Sequence, residues 1–151
     1  MREAIGQTFL INIIVLFIII FIILFAGSTS YTKAYKVKNR IISILEEEKG
    51  YTTTARQEID NYLSSTGYKV VPGGKATCNR HYANNNASQG VESPSSGYRY
   101  CIETFVINRG TENERTFYGV TAFMYFEIPV ISSLLELPVY GETKQIGILG
   151  N

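Results

Sequence analysis

The 151-residue chain contains no tryptophan, one histidine and two cysteines. With His81 alone, no second member exists for a His-based metal site, a proton shuttle or a Ser-His pair, and a solvated loop histidine is the expected reading. Charge imbalance is also lacking: the formal net charge is +1, and no dense Lys/Arg cluster with interleaved aromatics occurs, so nucleic acid is not an expected partner. A phosphate-cradling loop is missing as well, because Pro72, Gly73, Gly74 and Lys75 have neither the spacing nor a following helix, and a turn explains them. Asn86, Ala87 and Ser88 match a glycosylation triplet that arises easily by chance in an Asn- and Ser-rich stretch. Carboxylates are scattered without a visible pair. These absences argue against an enzyme, a metal or a cofactor.

What the chain does have is a long hydrophobic run. In residues 9–26, FLINIIVLFIIIFIILFA, seventeen of eighteen side chains are apolar and Asn12 is the only polar one. Sixteen are Leu, Ile, Val or Phe; each favours insertion by about 0.3–0.6 kcal/mol, for a total of about 5–10 kcal/mol. Eighteen helical residues reach about 27 Å, close to a hydrocarbon core of about 30 Å. The β-branched residues would favour a strand in water, but lipid offers a lone strand no hydrogen-bond partners, so the segment is expected to be helical.

The organisation expected is a leader at 1–8, a transmembrane helix at 9–26, an amphipathic helical stalk at 27–50 and a small extracytoplasmic α+β domain at 51–151. The leader MREAIGQT admits three readings: a cleavable secretory signal with small residues near Ala26, an uncleaved signal anchor, or a pilin-type leader cut between Gly6 and Gln7. Tyr31, Ala34, Tyr35, Ile41, Ile42 and Leu45 continue a helical period past the span, with Gly50 expected as the terminating C′ residue; Gly27 to Ser30 could bend the rod. Lys33, Lys36, Lys38 and Arg40 precede Glu46, Glu47 and Glu48 along this stalk. The acids lie at the unfavourable end for the helix dipole. A solvated face accounts for the pattern, as does pairing between parallel copies offset by roughly 15 Å, or contact of the basic patch with anionic headgroups. The basic flank taken alone would place the C-terminal side in the cytoplasm.

Cys78 and Cys101 are expected to form one disulfide, worth about 3 kcal/mol, which would place the domain in an oxidising space. That outweighs the basic flank and favours an outward domain. Residues 51–67 read as a short helix with a Thr54–Gln57 capping box, Ala55, Ile59, Tyr62 and Leu63 on one face, and Gly67 as its stop. Tyr68 to Val71 is a strand candidate, and 75–97 a long polar loop. Alternation at Tyr98, Tyr100, Ile102, Thr104 and Val106, then at Tyr118, Val120, Ala122, Met124, Phe126 and Ile128, predicts a hairpin with a five- or six-residue connection ended by Pro129. Ile131 to Leu137 reads as one helical turn, and Pro138 as the lead into a last strand. A three- or four-stranded antiparallel sheet against the stalk follows.

The short leader ending at Gly6, the apolar helix running into a basic stalk, and the C-terminal FEIPVISSLLELPVYGETKQI together resemble the TadE/TadF-like pseudopilins of tight-adherence pili. The resemblance covers about half the chain. It implies a pilin-like fold, membrane-held subunits cut after a leader glycine by a prepilin peptidase, and partners among other pilin-like subunits and the pilus assembly machinery. The implied function is a minor pilin or pseudopilin. The family pattern has Glu at the fifth position after the cut, where this chain has Ile11 followed by Asn12, so an uncleaved assembly factor is a variant of that reading. The alternative from a different class is a monomeric signal-anchored binding module that uses loop 75–97.

Overall fold

The computed structural model describes residues 2–68, 78, 88–92, 97–98, 100–126 and 135–147. One helix, α1, runs unbroken over Arg2–Glu47. Its 46 residues give a rod of about 69 Å. Gly27 to Ser30 does not break it. Thr29 Oγ1 donates to the Phe25 carbonyl at 3.0 Å and Thr32 Oγ1 to the Ser28 carbonyl at 2.9 Å, so these two threonine hydroxyls are spent on the helix's own backbone.

The rod ends one residue earlier than the position of Gly50 suggests. Lys49, at φ 52°, is the left-handed C′ residue, and Gly50 follows it with its N–H donating to the Leu45 carbonyl at 2.9 Å, a Schellman closure. Glycine is still required at 50. Its φ of 150° is disfavoured for any side chain, and a Cβ there would stand 3.1 Å from the Tyr118 hydroxyl.

Helix α2 spans Thr53–Thr66. The expected Thr54–Gln57 capping box does not form: Thr52 is the N-cap, its Oγ1 accepting from the Ala55 N–H at 3.1 Å. Three adjacent threonines, Thr52 to Thr54, compete for the cap in sequence, and the one that places Ala55, Ile59 and Leu63 on the buried face wins. Gly67, at φ 64°, stops the helix as expected.

Strands β1 (Ser88–Glu92), β2 (Tyr100–Ile107), β3 (Arg115–Phe126) and β4 (Leu135–Glu142) form an antiparallel sheet in that order, and the two-residue β5 (Ile146–Gly147) also pairs with β3. Three expectations change. The polar stretch 75–97 is not all loop, since β1 lies within it and pairs with β2. The β2–β3 connection is residues 108–114, longer than five or six, with Asn108 and Gly110 at positive φ and Gly110 N–H donating to Glu114 Oε2 at 2.8 Å. The closing strand starts at Leu135, so Leu135 to Leu137 are extended rather than helical, and Pro138 sits inside β4 opposite Phe123. A proline is tolerated there because β4 lies at the end of the strand order, where an N–H is not needed for a further partner. Of the strand candidate at 68–71, Tyr68 belongs to the close of α2, its N–H donating to the Leu63 carbonyl at 3.0 Å. Positions 69–71, Ile128, Pro129, 131–134 and His81 lie outside the described residues.

Sheet and helices meet in one core. Val37, Ile41, Ile44 and Leu45 of α1, Ala55, Ile59 and Leu63 of α2, Tyr100 and Ile102 of β2, and Val120 and Ala122 of β3 are buried together. The cross-strand pairs Tyr100↔Ala122 and Ile102↔Val120 put these strand residues on the face turned to α1. Of the residues expected on the stalk's apolar stripe, Ala34, Ile41 and Leu45 are buried, whereas Tyr31 and Tyr35 are exposed.

The opposite sheet face is covered too. Cys101, Glu103, Phe105 and Thr121 are all buried, and the Phe105 and Phe117 rings stack 4.6 Å apart. Gly119 is glycine because Tyr140 and Phe105 occupy the space a Cβ would take, with Tyr140 Oη at 2.6 Å and the Phe105 ring at 3.1 Å. Gly119→Ala is therefore expected to destabilise the domain by about 1–3 kcal/mol, read as a lowered thermal midpoint with the fold retained.

Tyr100 is wholly buried, with its hydroxyl 3.5 Å from that of Tyr51. Burial, and then the Tyr51 hydrogen bond, push the Tyr100 phenol well above its ordinary range. A folded-state value above the unfolded one means the neutral phenol's contribution is whole below about pH 10 and is lost as pH rises beyond that. Alkaline titration of unfolding should show this fall above about pH 10, and Tyr100→Phe should flatten it.

Candidate membrane anchor and interfacial surface

The lower half of α1 touches nothing in the domain core. From Phe9 to Phe25 the large apolar side chains are between 44% and 78% exposed on every side of the helix. In water so large an unpartnered apolar surface would be untenable, and among the described residues this is the one helix long and apolar enough to cross a membrane. From Ala34 upward the same helix is buried at positions 34, 37, 41, 44 and 45. A single rod is thus bare where it is apolar all round and docked where it is amphipathic.

Between the two halves lies a short polar collar. Tyr31 and Tyr35 are exposed and stack with ring centroids 6.2 Å apart, and Lys33 and Lys36 flank them in exposed positions. Tyrosines and lysines just beyond an apolar span are suited to the bilayer interface, where ring bodies and aliphatic stems remain partly buried and polar tips stay wet.

The seven charged stalk residues do not form one surface. Lys38 is only 8% exposed. Its stem lies against Gly141, where an added Cβ would come within 2.9 Å of Lys38 Cδ, and its ammonium sits 4.3 Å from the centre of the Tyr35 ring. A period-based signal for this exists, since position 38 shares the stripe of 34, 41 and 45. Arg40 donates to Glu58 on α2 at 2.9 Å and lies 3.6 Å from Glu47, which also accepts from Ser43 Oγ at 2.9 Å.

Glu46 accepts the Lys144 backbone N–H at 2.8 Å. Thr143 beside it donates its N–H to the Tyr118 carbonyl at 2.9 Å and accepts the Tyr118 N–H through Oγ1 at 2.9 Å. Two of the acids at the unfavourable helix end therefore have intrachain work: Glu46 ties the turn after β4 to α1, and Glu47 meets Arg40 and Ser43 of its own helix. Lys33, Lys36 and Glu48 form no ion pair among the described residues.

Cys78 and Cys101 are joined as a disulfide with Cα atoms 5.7 Å apart. Cys101 lies on the sheet face away from α1, opposite Thr121 of β3, so the bridge pins residue 78 to that outer face. Gly6 and Gln7 fall within the first turns of α1.

No family model, curated protein or solved structure matches the chain. Its class follows from its own geometry: an α+β domain with a disulfide, built around the upper half of a helix whose lower half can span a membrane.

Proposed function

We propose that the protein is a minor pilin or pseudopilin, a structural or assembly component of a filament related to tight-adherence pili, held in the cytoplasmic membrane with its domain on the outer side. The observation that carries this reading is the continuity of α1 from a bare apolar half into the domain core. A rod of that kind can be packed side by side with other copies in the membrane and above it, while the domain it carries stays fixed to it. The disulfide supports an oxidising, extracytoplasmic setting for the domain. The role is non-catalytic, and its partners are other pilin-like subunits, the assembly machinery and a prepilin peptidase acting between Gly6 and Gln7.

Lateral pairing is then expected to use Lys36 and Glu48, which form no ion pair among the described residues. Lys36 and Glu48 are twelve residues apart, so parallel copies offset by about 18 Å would bring them together. Lys36→Glu is expected to abolish cross-linking between copies in native membranes, and Glu48→Lys added to it to restore the cross-link. Indifference to both changes contradicts the pairing. N-terminal sequencing of the native protein tests the wider reading: a start at Gln7 supports it, and a start near Thr29 excludes it because the apolar half of α1 would be gone.

A further inference from the structure

We propose that the cavity at the base of the domain binds the phosphate-bearing headgroup of a membrane glycerophospholipid through Lys33. This deepens the anchored reading above and rests on α1 residing in a bilayer.

The cavity, about 160 Å³, lies between α1, the end of α2 and β3. Ser30, Lys33, Ala34 and Val37 form its α1 wall, and Tyr68 and Phe123 face them. At about 30 Å³ per water it has room for roughly five waters. That is below the roughly 300–1,000 Å³ of sites for free small molecules, and suits a headgroup whose remainder lies outside. The far wall is built rather than incidental: Tyr68 Oη donates to the Phe123 carbonyl and accepts the Phe123 N–H, each at 2.9 Å, fixing the Tyr68 ring against β3.

Height along α1 sets the ligand. Ser30, Lys33 and Val37 lie five, eight and twelve residues beyond Phe25, the last large apolar residue of the span, which places them about 7.5, 12 and 18 Å above it. A headgroup layer is about 5–8 Å deep on each side of the hydrocarbon. Helical Cα–Cβ bonds tilt toward the N-terminus, here toward the bilayer, so the exposed Lys33 side chain descends to phosphate level.

Charge agrees with this assignment. Among the described residues, Lys33 is the one charged residue lining the cavity. At the end of α2, Tyr68 N–H caps the Leu63 carbonyl at 3.0 Å and Gly67 N–H the Ser64 carbonyl at 3.2 Å, which leaves Lys33 to offset the remaining negative end of that helix. The apolar walls of Ala34, Val37 and Phe123, farther from the bilayer than Lys33, would face the part of the headgroup beyond the phosphate.

The test uses the full chain in nanodiscs of phosphatidylglycerol and phosphatidylethanolamine, with native mass spectrometry after release to count retained lipid. Wild type and Lys33→Arg are expected to keep one phospholipid. Lys33→Glu, which reverses the charge, and Ser30→Phe, which plugs the rim, should each retain at least tenfold less. Equal retention by all four overturns the proposal, as does displacement-free binding of inorganic phosphate without any retained lipid. Flotation with vesicles of the same lipids separates the two levels. If all four proteins float and none keeps a lipid, the cavity assignment fails and the anchor stands; if none floats, the anchor fails and the assignment falls with it.

Discussion

Ile41→Ala is expected to lower the unfolding free energy of the domain by about 2–5 kcal/mol, the range for truncating a buried isoleucine. Ile41 is completely buried, at the middle of the α1 stripe that meets both α2 and the sheet. A domain of this size has about 5–15 kcal/mol in total. The loss should therefore appear as a fall of the thermal midpoint by roughly 10 °C or more. Ile18→Ala removes as many atoms from the same helix, yet Ile18 is 53% exposed and contacts no part of the domain core. Its domain melt should be unchanged within about 0.5 kcal/mol, the usual spread for a site outside the core. Thermal unfolding in detergent, followed through the domain tyrosines, compares the two. Equal shifts would mean that the upper half of α1 does not build the core.

Opening the disulfide by Cys78→Ser with Cys101→Ser is expected to cost about 3 kcal/mol. The bridge closes a sequence separation of 23 residues, and the chain-entropy relation gives roughly that value for such a loop. Cys101 and its neighbours Glu103 and Phe105 are buried on the sheet face opposite α1, so the loss falls on the half of the domain that α1 does not support. Reductant added to the wild type should reproduce the shift and leave the double variant unmoved. A wild-type midpoint insensitive to reductant would contradict a structural role for the bridge.

Much of this architecture is legible in the sequence because its periods are long. The apolar run, the α1 stripe, the α2 face at Ala55, Ile59 and Leu63, and the alternation of β2 and β3 each repeat several times, and all four elements are present. The misses sit where local and tertiary signals part. Ser88 to Glu92 has no alternating apolar pattern, and its strand exists because β2 offers an edge to pair with. Pro138 reads as a boundary because a central strand would reject it, but β4 stands at the end of the strand order. Lys38 reads as one of the exposed bases because a charge is normally outside; its position on the stripe outweighs that, since the stem packs while the ammonium rests on Tyr35. The intrachain use of Glu46 depends on a contact 98 residues away, which no sequence period carries.

One uninterrupted helix joins the apolar span, proposed to lie in the bilayer, to the domain core. The most direct test of that arrangement is a nitroxide scan from Phe9 to Leu45 of the full chain in lipid vesicles, reading accessibility to oxygen and to a water-soluble relaxant. High oxygen and low aqueous access are expected at every position from Phe9 to Phe25, with a crossover at Gly27 to Lys33 and then a helical period with minima at Ala34, Val37, Ile41 and Leu45. Aqueous access throughout the first stretch, or a loss of helical period at Gly27 to Ser30, would contradict it.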